Sequence, residues 1–377
     1  MIDFSWTSLT LPAAIYCLLA YTIFIIMYKR KYTLPLKITA PTDKWLYLYA
    51  LILVVTICID DDWYHYQQMM EDYDFVNRYL NHGEVVYSYI AEFVNRNYLL
   101  FRIVVWGSAL YICKIIFQRC RINVNAAIFF IIAVFLLRFN YARSTLAMAI
   151  YFLGLSFLIY PIKNKKFLSI VMAILLIGCS FFFHSSIAIL IALTFLIYVP
   201  INKYIIIFIS AGLPLLGYYL TDYINAFVLS GMVEDEYLSQ KMVGYVEQVA
   251  DRANIFGIVA DFIGYGVFFC AFISSFISIF KHKKLIDGEI WRLFKLTFFL
   301  LMVASSILFT SLTSQVFFYR FLFMSFIPLT VIFVYLYENK YLSRQLFLLV
   351  FYWGILSNGY RFLYMLYKVL NGTYNLI

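Results

Sequence analysis

Residues 123–161 read NVNAAIFFIIAVFLLRFNYARSTLAMAIYFLGLSFLIYP, and this stretch decides the fold class of the chain. Two apolar runs lie on either side of a short turn that is flanked by Arg138 and Arg143. Each run approaches the ~20 residues that a helix needs to cross the hydrocarbon core of a bilayer. The stretch therefore predicts two transmembrane helices joined by a turn between two arginines.

The rest of the chain continues this pattern. Of its 377 residues, 64% are apolar or aromatic and 13% are charged, whereas a soluble domain is roughly 45–50% apolar and about 25% charged. These proportions exclude a soluble globular enzyme, and the hydrophobicity excludes a disordered chain. We expect an all-α polytopic membrane protein, with one transmembrane domain over residues 1–377. It has about twelve transmembrane helices, at residues 9–28, 45–60, 97–117, 123–138, 144–161, 167–183, 185–200, 204–221, 255–280, 291–312, 318–337 and 345–370. The last contains Ser357, Asn358 and Gly359, which fit a broken or tilted helix.

The basic residues indicate the orientation. Alternate short loops hold 17 of the 29 Lys and Arg residues but only four acids. By the positive-inside rule these loops are cytoplasmic, and we expect both termini outside. Membrane topology thus accounts for the net charge of +9, and no nucleic-acid partner is expected.

Two longer polar segments, 61–96 and 222–254, are predicted to lie outside the cytoplasm and carry most of the acids. Long segments of this kind are usually functional or disordered, so we expect function on the outer face. Within the first segment, one helical face is apolar. It predicts an amphipathic helix that either lies on the membrane surface or packs on the bundle, with the face formed by Val86, Tyr89, Ile90, Phe93 and Val94.

Soluble-enzyme motifs such as the P-loop, G-x-G-x-x-G, G-x-S-x-G and H-E-x-x-H are missing from the sequence. Six cysteines occur, and no two of them form a C-x-x-C pair. We interpret them as small buried hydrophobic residues rather than as a disulfide framework or a zinc site. No cofactor and no metal are therefore expected.

Five arginines lie at or inside the outer ends of the predicted spans: Arg102, Arg138, Arg143, Arg320 and Arg361. Charge in a membrane segment costs ~2.5–3.5 kcal/mol near the centre, so it indicates function. One alternative is that each arginine extends towards lipid phosphates. Their number on one face, against the positive-inside bias, favours an anion site, and the planar guanidinium suits phosphate.

Acids and a histidine accompany these arginines on the outer face. Residues 60–62 are three aspartates at the end of the second span, and Asp261 lies inside the ninth. Adjacent carboxylates on a helix point apart, which favours a solvated helix end over a cation site. His184 closes the sixth span, and imidazole is the side chain that carries protons near neutral pH.

Four of these features together resemble one family. Residues 140–147, NYARSTLA, resemble the "iRq-lA" helix start of the EpsG family, and residues 183–186, FHSS, its "fH-sa" span end. Residues 62–66, DWYHY, are similar to its "D-y-x-x-Y" segment, and residues 319–321, YRF, to its "R-y" span start. Two departures occur: Ser144 replaces the usual Gln, and Asp60-Asp61 replaces the Gly before the Asp.

The EpsG family belongs with the Wzy-type polymerases of exopolysaccharide and O-antigen. The resemblance implies the architecture of multi-span glycosyltransferases that use lipid-linked donors without a metal. It implies transfer of a growing glycan from polyprenyl diphosphate to the next lipid-linked repeat unit, at the outer face of the bacterial cytoplasmic membrane. The partners are then the polyprenyl-diphosphate-linked oligosaccharide and membrane lipids, with a chain-length regulator protein as a candidate.

Residue roles follow from this resemblance and from the chemistry. Arg143 and Arg320 are expected to meet the charge on the leaving diphosphate. Either His184 or Asp62 is expected to act as the base for the acceptor hydroxyl. The remaining candidates bind substrate: Arg102, Arg138 and Arg361 assist at the diphosphate, and Tyr64, Tyr66, Tyr141 and segment 222–254 hold sugars.

Other functions stay open at this point. A lipid-linked glycan ligase or another lipid-donor glycosyltransferase would use the same Arg and His chemistry. A transporter or flippase would be expected to show repeats and spans broken by Gly or Pro at mid-membrane. A membrane acyltransferase would need a histidine with cytoplasmic access, whereas His184 is predicted to face outside.

The charge pattern predicts the side of each loop. Reporter fusions after Lys166 and Lys284 should report cytoplasm, because both residues lie in the basic loops. Fusions within 65–90 and 235–250 should report the outside. A cytoplasmic signal from 235–250 would contradict both the topology and the placement of the site.

Overall fold

The computed structural model describes residues 11–33, 41–57, 70, 85–139, 142–184, 187–200, 202, 204–206, 208–210, 212–213, 215–216, 255–308 and 322–370. Regular structure within these ranges is helical throughout, as the apolar runs predict. The helices are α1 (Leu11–Tyr32), α2 (Lys44–Thr56), α3 (Val85–Phe93), α4 (Tyr98–Arg102), α5 (Ser108–Arg119), α6 (Val124–Phe139), α7 (Ala142–Ile159), α8 (Lys166–Phe183), α9 (Ile187–Thr194), α10 (Ile255–Lys281), α11 (Gly288–Leu308), α12 (Phe326–Glu338) and α13 (Arg344–Leu370). A π-helical segment, Ile103–Gly107, joins α4 to α5, and a 3-10 turn, Phe195–Tyr198, ends α9.

Five described helices are long and apolar enough to cross a membrane, which identifies a helical membrane protein. They are Leu11–Tyr32, Tyr98–Arg119, Lys166–Phe183, Ile263–Lys281 and Arg344–Tyr367. Other predicted spans hold shorter apolar helices. Val124–Phe139, for example, has 16 residues and measures ~24 Å at 1.5 Å per residue, against a core of ~30 Å. The count of twelve therefore stays a prediction. So do the two outer segments, since 222–254 and most of 61–96 lie outside the described residues.

Helices α6 and α12 form the centre of the bundle. They are apolar on every side, and such helices are buried on every side. Residues 124–137 of α6 and residues 326–337 of α12 are all buried. Aromatic rings join them, with 5.0 Å between the ring centroids of Phe130 and Phe333. By contrast α8 is peripheral, because Phe167 is 80% exposed and Ile174 64%, as expected for a lipid-facing helix.

Helix α6 is kinked close to its end. Phe135 has non-helical angles, φ −117° and ψ 16°. The carbonyl of Ala133 accepts hydrogen bonds from Tyr21 Oη in α1 at 2.6 Å and from Asn358 Nδ2 in α13 at 3.0 Å. Inserted side chains of this kind are a recognised cause of kinks. Helix α13 itself is continuous through residues 357–361, so the last span is not broken there.

One glycine permits the closest approach between α13 and α6. A Cβ placed on Gly354 would lie 2.7 Å from Cα of Val134, so only glycine fits at this crossing. The approach brings Asn358, one turn further along α13, within reach of the Ala133 carbonyl.

Basic side chains close the ends of other helices. Nζ of Lys295 donates to the carbonyl of Val199 at 2.7 Å, and Nη2 of Arg119 donates to the carbonyl of Tyr160 at 2.6 Å. The last carbonyls of a helix have no partner within the helix and carry partial negative charge. A cation that satisfies them therefore removes the cost of leaving them unpaired in an apolar environment.

Acidic side chains hold together the end of the bundle where α1 stops. Asp43 caps α2 and accepts a hydrogen bond from Lys31 Nζ at 2.7 Å. Burial alone would raise the pKa of Asp43, but hydrogen bonds from Lys31 and Tyr32 lower it to about 2. Glu338 accepts the backbone N–H of Asn123 at 3.1 Å, and burial raises the pKa of Glu338 to about 7. These contacts tie α1 and α2 together at this end, and α12 to the start of α6.

Helix α3 forms, as predicted, and packs on the bundle through Tyr87 and Ala91, which are buried. The predicted apolar face is divided: Val94 is buried, whereas Tyr89 is 63% and Phe93 82% exposed, and the placement of α3 on the membrane surface stays a prediction. Packing against Phe183 of α8 selects the aromatic ring of Tyr87. Among the described cysteines, all of them free thiols, Cys179 is exposed rather than buried, because it lies on peripheral α8.

Candidate active site

Four of the predicted site residues that the structure describes, Arg102, Arg138, Arg143 and His184, belong to one end of the bundle, which we call the arginine end. It is the end at which α2, α6 and α8 stop, at Thr56, Phe139 and Phe183, and at which α4 and α7 begin. Helix α2 packs on α6 and α7 packs on α8, and Arg102 in α4 donates to the carbonyl of Ile57 at the end of α2. Ring centroids of Phe139 and Phe326 are 5.9 Å apart, so α12 also begins here.

Arg102 is buried at the arginine end, with 3% of its surface exposed. Its Nη2 donates to the carbonyl of Ile57, the residue that caps α2, at 2.6 Å. The guanidinium carbon lies 5.0 Å from the ring centroid of Trp106 and 5.6 Å from that of Tyr98. This contact gives Arg102 a part in closing α2, and its predicted contact with substrate stays a prediction.

Three aromatic rings in contact join the residue before Arg102 to the residue before His184. The centroids of Phe101 and Tyr87 are 6.4 Å apart, and those of Tyr87 and Phe183 are 5.9 Å apart. His184 follows Phe183 directly and caps α8 with extended backbone; its N–H donates to the carbonyl of Ser180 at 3.3 Å. With 9% of its surface exposed, His184 is buried.

Arg138 lies in a cradle formed by other elements of the arginine end. Its guanidinium carbon is 4.4 Å from the ring centroid of Phe323, which precedes α12. Its Nη2 occupies the place where a Cβ on Gly264 of α10 would stand. Ser357 Oγ of α13 lies 3.7 Å from that same Cβ position. Three elements besides α6 thus surround one guanidinium.

Of the remaining predicted residues, the structure describes some and leaves others outside its described ranges. Arg143 belongs to the first turn of α7, as predicted, and Arg361 lies half-buried on α13. Outside the described residues lie Asp62, Tyr64, Tyr66, Tyr141, Arg320 and the side chain of Arg143. Their roles stay predictions.

Sequence reasoning missed the residues that hold Arg138. Gly264, Phe323 and Ser357 carry no charge, and no motif contains them. One signal existed, because Gly264 and Gly266 form a Gly-x-Gly pair in a predicted span, and glycine in a membrane helix often marks a close contact. Within the described ranges no group of three His, Cys, Asp or Glu side chains could hold a metal ion.

A comparison with family profiles gives a match over residues 43–372, most of the chain, to the EpsG family. The chain belongs to the EpsG family. This is a Wzy-type polymerase family, so membership indicates a Wzy-like polysaccharide polymerase, in general terms a glycosyltransferase. Searches of curated proteins and of solved structures return no match.

The cradle of Arg138 predicts how this EpsG-family protein responds to Gly264→Ala. The new methyl group must displace the guanidinium, which can move because it ends a flexible side chain. Polymer formed per amount of folded protein should therefore fall severalfold, while the melting temperature in detergent stays within a few degrees of wild type. Gel analysis of polymer and thermal unfolding measure the two effects.

Gly266→Ala is the matched control on the same helix. A Cβ there would lie 2.6 Å from the ring of Trp353, whose Nε1 donates to the carbonyl of Ile263 at 2.9 Å. The packed ring of Trp353 cannot move aside as the end of an arginine side chain can. Gly266→Ala should therefore lower the melting temperature rather than the polymer formed per amount of folded protein. Equal effects of the two variants on both measurements would contradict the role of the cradle.

Proposed function

We propose that this protein is a polysaccharide polymerase that transfers a growing glycan from polyprenyl diphosphate to the next lipid-linked repeat unit. The acceptor hydroxyl oxygen attacks the anomeric carbon of the donor glycan. The bond from that carbon to the diphosphate oxygen breaks, and polyprenyl diphosphate leaves with the electron pair. A base takes the hydroxyl proton.

The observation that carries this proposal is the placement of Arg138 at the end of α6. Its guanidinium stacks on Phe323, which is three residues from Arg320 in the chain, and Arg143 follows five residues after Arg138. Three residues of chain span at most about 11 Å. We therefore propose that Arg143 and Arg320 join Arg138 in one cluster of cations, which is what a leaving diphosphate requires.

The base is proposed to be His184 or Asp62. His184 stands buried at the junction of α8 and α9, at the same end of the bundle as Arg138. Arg143 and Arg320 are proposed to contact the diphosphate, with Arg138, Arg102 and Arg361 in support. Tyr64, Tyr66, Tyr141 and residues 222–254 are proposed to hold sugars.

The arginine end is proposed to face outwards from the bacterial cytoplasmic membrane. Basic residues concentrate at the opposite helix ends, for example Lys29, Arg30 and Lys31 in the last turn of α1, and such residues remain in the cytoplasm. Twelve spans with both termini outside agree with this orientation. A lipid-linked donor anchored in the outer leaflet would then present its diphosphate at the depth of the arginines.

A glycan ligase is the second candidate, since it would use the same arginines and base on a different acceptor. The family match favours a polymerase. The two functions differ in product, because a polymerase gives a ladder of increasing length whereas a ligase adds one glycan per acceptor.

Reconstitution tests the proposed function. Purified protein in liposomes, given only polyprenyl-diphosphate-linked repeat units, should lengthen them in the presence of a chelator, because arginine supplies the charge stabilisation that a metal supplies elsewhere. The product is a gel ladder of lipid-linked glycan. Parallel reactions contain sugar nucleotide, or excess divalent metal without chelator.

Each parallel reaction has a defined meaning. A strict requirement for sugar nucleotide would contradict a polymerase that uses lipid-linked donors. A strict requirement for metal would keep the polymerase but would make Asp60 and Asp62 metal ligands. Transfer of a single unit without a ladder would favour the ligase.

Arginine variants test the roles of single residues. Arg143→Ala and Arg320→Ala should abolish long polymer, while the protein still inserts into the membrane. Arg143→Lys and Arg320→Lys should restore little polymer, because an ammonium cannot bind two oxygens in one plane. His184→Ala should lose 10²–10⁴-fold in rate if it is the base. Normal chain length in either Ala variant would refute the anion site, and a loss under about tenfold at His184 would assign the base to Asp62.

A further inference from the structure

We infer that Asn358 and Tyr21 are positioning residues, which hold the kink of α6 and thereby place Arg138 in its cradle. This inference rests on the proposed function of Arg138 at the diphosphate. It concerns residues that no motif contains and that lie inside the bundle, away from any reacting group.

The first observation is that two helices donate to one carbonyl. In an unbroken helix the carbonyl of Ala133 accepts the N–H of Leu137, four residues on. Here Tyr21 Oη donates to that carbonyl at 2.6 Å and Asn358 Nδ2 at 3.0 Å. Nδ2 of Asn358 also lies 3.1 Å from Tyr21 Oη. The three groups form a closed triangle around a carbonyl two residues before the kink.

The second observation is that this triangle is sealed from solvent. Tyr21 and Asn358 are each 2% exposed, and Ala133 is fully buried. A polar side chain in an apolar interior costs free energy unless it is bonded. A polar pair placed there with matching donors and one shared acceptor therefore stabilises one particular backbone conformation, the kinked one.

The third observation is the short distance from the kink to the functional group. Arg138 lies three residues after Phe135, which is about 4.5 Å along a helix. The cradle offers Arg138 one narrow place, between the ring of Phe323 and the bare backbone of Gly264. The direction of the last turn of α6 decides whether the guanidinium reaches that place.

Further contacts hold the surrounding frame independently of the triangle. Gly354 fixes the crossing of α13 over Val134, and Trp353 Nε1 bonds the carbonyl of Ile263 in α10. Helices α6, α10 and α13 thus stay packed when one side-chain donor is removed. Loss of Asn358 should then change the direction of the last turn of α6 rather than unfold the bundle.

A double-mutant cycle tests whether Asn358 acts through Arg138. Asn358→Leu keeps the branched shape of the side chain, with a larger volume, but removes the donor. It should lower kcat about 10–100-fold, since small misplacements of catalytic groups cost this much, with KM for the lipid-linked donor changed less. In an Arg138→Ala background the same substitution should change kcat less than twofold. Tyr21→Phe should give a smaller loss of the same kind, because Asn358 still bonds Ala133.

A cross-linking experiment follows the geometry without using activity. Arg138→Cys and Gly264→Cys are combined in one chain and treated with a short bis-maleimide. The pair should react within one chain, and Asn358→Leu should reduce this product severalfold. Gly359→Ala, at a position where a Cβ meets no atom within 4 Å, serves as the control and should leave the product unchanged. The chain with native cysteines alone gives the background.

The outcomes separate the inference from the proposed function. Equal losses of kcat in both backgrounds, or unchanged cross-linking in Asn358→Leu, would overturn the positioning role. Failure of the wild type to elongate lipid-linked repeat units would overturn the proposed function. The cross-linking result would then show by itself whether Asn358 determines the position of residue 138 relative to residue 264.

Discussion

The structure depends on a single constraint, that backbone groups in an apolar interior must find partners within the protein. The carbonyl of Ala133 shows how strictly this is met, because Tyr21 and Asn358 reach it from two other helices. The same constraint explains the buried and half-buried cations. Arg102, Lys295 and Arg119 each donate to a carbonyl at the end of another helix.

This use of cations changes how charge in such a sequence is interpreted. A buried arginine in a membrane protein indicates function by default, yet Arg102 donates to the cap of α2. Both guanidiniums lie on aromatic rings, but that of Arg138, at the end of its own helix, also lies against Gly264 of another helix. Arg138 is half-buried whereas Arg102 is 3% exposed, so burial and surroundings both distinguish the two residues.

Glycine has a specific part in this arrangement. Gly354 allows α13 to approach the backbone of α6, and Gly264 gives the guanidinium of Arg138 its place against α10. The first contact brings two backbones together and the second brings a charged group to a backbone. Small residues at helix contacts are the usual way in which membrane helices pack closely, and here one such contact borders the candidate site.

The sequence by itself determined the helical class, the approximate positions of the described helices and the family, because apolar length and short motifs are local properties. It also placed Arg143 in the first turn of its helix and His184 at the end of another. Only the tertiary structure decided which face of α3 is buried, that Arg102 closes α2, and that Arg138 lies between Phe323 and Gly264. These features arise between residues distant in the chain, whose side chains meet only after the helices have packed.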